Sequence, residues 1–141
     1  MIETIYIELP FEKITYLDRP EFHKEEKEFK DALTESMTRY GMKDPVYCWY
    51  NSKPYGDKIH TIVGNNRMTV ARELGIKKVK AIITNFKADQ FPLKGRVLKT
   101  DEEIQNLFHL PDRVKVRRDA NGEVDQVNHP QFQGDIINEY V

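Results

Sequence analysis

The residues of this chain best suited to chemistry lie in one run, Ile59-His60-Thr61-Ile62-Val63-Gly64-Asn65-Asn66-Arg67-Met68-Thr69-Val70-Ala71-Arg72-Glu73-Leu74-Gly75. A stretch with strand character enters a glycine and two asparagines, then a segment with Met68, Ala71 and Leu74 on one helical face. Gly64 permits a sharp turn and the close approach of another group. Backbone N–H groups at a helix start, together with the positive end of the helix dipole, make a ready anion site. Arg67 falls in the first turn with no acid beside it, and the first carboxylate, Glu73, comes only at the far end. A cation at that position is disfavoured by about a few tenths of a kcal/mol, and becomes favourable when a phosphate or carboxylate lies between it and the N–H groups. The alternative is an Arg67 that points to solvent, over a helix capped by Asn65 or Asn66.

Other groups could serve such a site. Asp44 abuts a strand start and reads either as a pocket carboxylate or as a turn residue before Pro45. His60, on the strand leading to the turn, either lines the pocket or is an ordinary half-exposed strand residue. Hydrolysis or phosphoryl transfer needs a metal and a carboxylate or water-positioning group, for which Glu21, Glu25, Glu26, Asp44 and Asp57 are candidates. The charge run over 24–30 reads as a solvated helix face. His23, His60, His109 and His129 are scattered without zinc-ligand spacing. Cys48 reads as a buried small hydrophobe. Tyr47, Trp49, Tyr50 and Tyr55 suit a core better than a base-stacking platform. Arg72, Lys77, Lys78 and Lys80 form a local basic patch that either meets a nucleic-acid backbone or keeps the surface soluble.

The elements that must hold these groups can be read from periodicity. Residues 2–9 alternate as a strand that closes at Pro10. Over 24–40, Phe29, Ala32, Leu33, Ser36, Met37 and Tyr40 mark one helix face, and Gly41 stands where a left-handed cap is expected. Residues 46–50 are β-branched and aromatic, 51–57 carry turn chemistry, and 58–63 return as the second strand of a hairpin. The helix of the central run follows, then a short strand over 79–83. Beyond Asn85 the character changes. Residues 87–96 read as a loop, Thr100-Asp101-Glu102-Glu103 as a capping box before Ile104, Leu107 and Phe108, and 113–127 as a hairpin around Ala120-Asn121-Gly122. Residues 131–141 are polar and suit a tail or a partner-binding arm. The expected class is α+β, a small mixed sheet with flanking helices, in a domain over 1–86 with an extension over 87–141.

Bulk properties restrict the function. The chain has 141 residues, 22 Lys and Arg against 23 Asp and Glu, and a net charge of −1, so any phosphate contact must be local. One cysteine excludes an internal disulfide framework, no apolar run approaches a membrane span, and the N-terminus lacks signal-peptide character. These features read as cytoplasmic.

The central run resembles the ParB/sulfiredoxin-like superfamily, also called the ParB-like nuclease domain. The likeness rests on Gly64-Asn65-Asn66-Arg67, Ala71, Leu74-Gly75 and Val79-Lys80-Ala81-Ile82-Ile83, in order and spacing. Upstream, Leu33, Ser36-Met37, Tyr40-Gly41 and Asp44-Pro45-Val46 resemble the family's helix-to-strand segment, and Asp18-Arg19-Pro20 its arginine-bearing loop. The match spans residues 3 to about 85. The resemblance implies binding of CTP or ATP, usually with Mg²⁺, the phosphates cradled by Gly64, Asn65, Asn66 and Arg67 and reached by Arg19.

The departures are specific. Asn66 stands where partition proteins have a second arginine. Asn65 stands where sulfiredoxins place their catalytic cysteine, which disfavours sulfiredoxin activity. Residues 87–141 show no clear helix-turn-helix, and Glu103 to Asn106 only faintly resembles the family's acidic-amide motif. Three functions follow from the resemblance. The first is a nucleotide-binding switch, slow NTPase or phosphotransferase; the second, a DNA-associated nuclease or accessory factor; the third, a catalytically silent module holding a protein partner through 87–141. The first is preferred, as binding before catalysis. The small size resembles ParB-like proteins of phages and mobile elements, and oligomerisation is compatible with all three.

Overall fold

The computed structural model describes residues 2–18, 26–51, 58–89 and 93–128. The chain runs through β1 (Ile2–Pro10), a short 3-10 turn, β2 (Ile14–Thr15), α1 (Lys27–Tyr40), β3 (Val46–Asn51), β4 (Lys58–Val63), α2 (Asn65–Leu74) and β5 (Lys78–Lys87). There follow β6 (Arg96–Val97), α3 (Asp101–Gln105), a second 3-10 turn, β7 (Lys115–Arg118) and β8 (Val124–Asn128). The fold is α+β, as expected. A six-stranded mixed sheet in the order β2-β4-β3-β5-β1-β6 stands beside a two-stranded β7-β8 hairpin. β3 and β5 are parallel at its centre, with β4 and β1 antiparallel outside them.

Alternation along β3 explains why the sheet is covered on both faces. Val46, Cys48 and Tyr50 enter one core with Ile5, Leu9, Ile59, Ala81 and Ile83, beneath Met68 of α2. Tyr47 and Trp49 enter a second core with Val63 and Ile82, closed by Leu98, Ile104, Phe108, Val114, Val124 and Val127. Aromatics on this strand therefore pack inward, as their pattern implies. Leu33 and Met37 of α1 pack on Val70 and Ala71 of α2, which puts the helices in one layer.

Several local readings are adjusted by tertiary contacts. The strand read over 79–83 extends to ten residues because β1 pairs with it from Lys78 to Lys87. The stretch read as a loop over 87–96 ends in β6, whose Arg96 and Val97 pair with Tyr6 and Ile5. Gly41 has positive φ (73°) but ψ of −162°, outside the left-handed helical region and in one that only glycine readily adopts. Thr100 caps α3: Glu103 N–H donates to Thr100 Oγ1 at 3.1 Å, while Glu103 Oε2 accepts at 3.4 Å from the N–H of Lys99, one residue before the cap, in place of the reciprocal bond to Thr100 N–H. No helix among the described residues is long and apolar enough to cross a membrane.

Candidate functional site

The turn between β4 and α2 forms because Gly64, at φ 119° and ψ 14°, takes the position ahead of the helix. Neither Asn65 nor Asn66 is the N-cap; both lie inside the helix, and no side chain caps it. The first intrahelical bond runs from Met68 N–H to Gly64 O at 2.8 Å, so the N–H groups of Asn65, Asn66 and Arg67 precede the ladder. The backbone itself presses on β3 here. A Cβ on Gly64 would lie 2.7 Å from Val46 Cγ1 and 3.0 Å from Arg67 Nη2. Gly75, at the other end of α2, is also left-handed, but a Cβ there would meet nothing within 4 Å. Gly64→Ala is therefore expected to cost about 2–4 kcal/mol, from backbone strain plus overpacking, and Gly75→Ala about 1–2 kcal/mol, from strain alone. Equal losses in urea denaturation would show that the close approach to Val46 carries no energy.

Arg67 does not extend into solvent. It is fully buried, and it turns back beneath the turn, where Nη1 donates to Asp44 O at 2.6 Å and Nη2 to Pro45 O at 3.2 Å. Its Nε–H is buried and meets no acceptor among the described residues. These partners are carbonyl dipoles, not carboxylates. The Asp44 carboxylate, 2% exposed as a residue, is engaged elsewhere: Oδ1 accepts from His109 N–H at 2.7 Å, and both oxygens lie 2.8 Å from His109 Nδ1. The guanidinium charge reaches Cys48, whose thiol is pushed up to about 12 by burial, against smaller opposing effects of Thr61 and Arg67. Cys48 is thus a protonated core residue, consistent with its strand position.

The structure brings Gly64, Asn65, Arg67 and Asp44 together and leaves His60 apart. His60 is half-buried on β4, four residues before Gly64 and so roughly 13 Å along the strand. Asn66 is buried, at 8% exposure. Asn65 Oδ1 accepts from Leu17 N–H at 2.9 Å, and Asp18 pairs with Arg72 of α2 at 3.3 Å, which ties the chain to this helix up to Asp18. Arg19, Glu21, Glu25 and Asp57 lie outside the described residues. His109 is the residue that sequence reading missed. It stands 65 positions from Asp44, and no local spacing signals a contact that only the fold creates.

At this turn the N–H groups of Asn65, Asn66 and Arg67 precede the helical ladder, α2 presents the positive end of its dipole, and Arg67 places a buried cation beneath them. Mg²⁺ fits less well: no group of three or more His, Cys, Asp or Glu among the described residues could hold a metal ion, and Asp44 is committed to His109.

Comparison with known proteins identifies the surroundings of this turn. The family profile of the ParB N-terminal domain matches residues 2–91. Among solved structures, the chain is similar to the C-terminally truncated chromosome-partitioning protein ParB from Caulobacter crescentus complexed with CTP-gamma-S. Identity is 18%, over 60% of this chain and 47% of that one, with a TM-score of 0.46. It is also similar to a Pnob8-like ParB-N domain (22% identity, 64% and 34% coverage, TM-score 0.43). A third similar structure is a free serine kinase in complex with AMP (18% identity, 84% and 48% coverage, TM-score 0.44). The chain spans less than half the length of each of these three. No curated protein matches it.

Proposed function

From the premise that the chain belongs to the ParB N-terminal domain family, we propose that it binds a nucleoside triphosphate, CTP or ATP, with the phosphates against the Gly64–Arg67 turn. The observation that carries this reading is the buried Arg67 guanidinium, whose hydrogen-bond partners among the described residues are two carbonyls. A buried charge without a directly bonded counter-ion costs several kcal/mol. A phosphate oxygen about 5 Å from it gains about 3 kcal/mol at an effective dielectric near 20, and the first-turn N–H groups supply direct bonds. Gly64, Asn65, Asn66 and Arg67 act here through the backbone, and Arg67 adds its charge from below. Arg19 follows Leu17 by two residues, at most about 7 Å of chain, so the Leu17–Asn65 bond supports its reaching the same phosphates.

Binding, rather than turnover, is what these residues support. The Asp44 carboxylate is held by His109, and the described residues offer no ligand set for a catalytic metal. Any Mg²⁺ would arrive on the phosphates.

The test is a thermal-shift screen of the whole chain against CTP, ATP, GTP and UTP, each with and without Mg²⁺. A ligand at 100 times its Kd adds about 2.7 kcal/mol, which raises Tm by several degrees. One nucleotide should shift Tm saturably, inorganic pyrophosphate should compete, and Arg19→Ala should weaken the effect. No shift with any nucleotide would end the reading and leave the turn as a structural corner.

A further inference from the structure

We infer that His109 is a positioning residue for the Gly64–Arg67 turn, acting through Asp44, so that docking of the C-terminal segment and the shape of the turn are coupled. The contacts form an unbroken relay. Gly64 lies against Val46 and Arg67 Nη2. Arg67 is fastened to the carbonyls of Asp44 and Pro45, the two residues that lead into β3. Asp44 receives both the backbone N–H and the ring Nδ1 of His109 on one nearly inaccessible carboxylate.

The relay is discriminating because each residue has two different attachments. Asp44 uses its carbonyl toward the turn and its carboxylate toward the extension. His109 directly follows Phe108, which is buried in the core shared with the sheet, so its backbone is set by how α3 and the hairpin seat. Release of His109 would take two donors from a nearly inaccessible carboxylate beside the segment that fixes Arg67. Burial of that anion is costly, so 44–45 must move to rehydrate it, and Arg67 loses its anchor. Linkage makes the effect reciprocal: whatever steadies the turn steadies the seated segment.

The ligand half of this inference rests on the nucleotide reading; the coupling itself does not. Amide hydrogen exchange on the ligand-free chain tests the coupling. The Met68 amide, bonded to Gly64 O, should exchange faster in His109→Ala, while the Ile83 amide in the sheet centre stays unchanged. His109→Asn, whose Nδ2 can stand in for ring Nδ1, should restore it. A Met68 amide unchanged in His109→Ala, or one that merely follows Ile83, would overturn the inference. Should His109→Ala not fold, the wild type decides. The His109 and Met68 amides should open with the same free energy, and unequal values would defeat the relay. Where a nucleotide binds, it should also protect the His109 amide, and His109→Ala should weaken its affinity on the order of tenfold. If no nucleotide binds, only the functional reading fails, and the ligand-free exchange still judges the coupling.

Discussion

Arg67→Ala is expected to lower the stability of the ligand-free protein by about 3–5 kcal/mol, before any nucleotide is considered. Two charge-assisted hydrogen bonds end on carbonyls that are otherwise buried, and each such bond is worth about 1.5–3 kcal/mol. The truncation also leaves a cavity under Gly64, because Arg67 is among the largest fully buried side chains. Against this stands relief from burying a cation, which keeps the loss from reaching the full sum. Arg67→Met separates these contributions. It restores most of the volume but neither donor, so it should fall between wild type and alanine. Arg67→Lys keeps the charge but loses the rigid fork that spans two carbonyls, and should also be unstable. Urea denaturation of the three variants checks the order. An alanine variant within about 1 kcal/mol of wild type would mean that the guanidinium lies outside the fold in solution. The consequence for function is direct. Loss of nucleotide binding in Arg67→Ala would reflect a collapsed turn as readily as a lost contact, so Arg19→Ala is the better probe of the proposed phosphate contact.

Arg67 also shows where sequence reading succeeds and where it stops. The type of residue, its place in an acid-free first turn and the glycine ahead of it were all legible, because dipole and backbone arguments are local. The direction of the side chain was not. It is decided by carbonyls of Asp44 and Pro45, more than twenty positions upstream, which only the pairing of β3 and β4 brings under the helix. The same distinction separates the Thr100 cap of α3, which is local and formed as expected, from the Asp44–His109 contact, which no periodicity encodes. Strand lengths fail for a related reason: the pattern over 79–83 stops where the apolar run stops, whereas β5 continues for as long as β1 can pair with it.

Removing residues 90–141 is expected to prevent cooperative folding, although the family profile ends at residue 91. Tyr47 and Ile82 are fully buried and Val63 nearly so, and the side chains that share their core include six from the extension. Exposing those three costs about 1.5–3 kcal/mol each by apolar area, a total comparable to the 5–15 kcal/mol by which domains are stable. Polar ties would be lost as well. The Val124 carbonyl accepts from Thr84 Oγ1 at 3.2 Å and from the Tyr47 hydroxyl at 3.5 Å, and both bonds would be lost with it. The shorter test is Phe108→Ala, a truncation in the middle of this core, with an expected loss of about 3–5 kcal/mol and a fall in Tm of roughly 10–17 degrees. Leu107→Ala, at a half-buried neighbour, should cost distinctly less. Circular dichroism melts and size-exclusion chromatography of the 1–89 chain read the larger prediction. A sharp transition near that of the full chain would make the extension an appended arm. Loss of the transition would make it the second wall of the sheet, and would explain why a histidine on it can be built into the support of the Gly64–Arg67 turn.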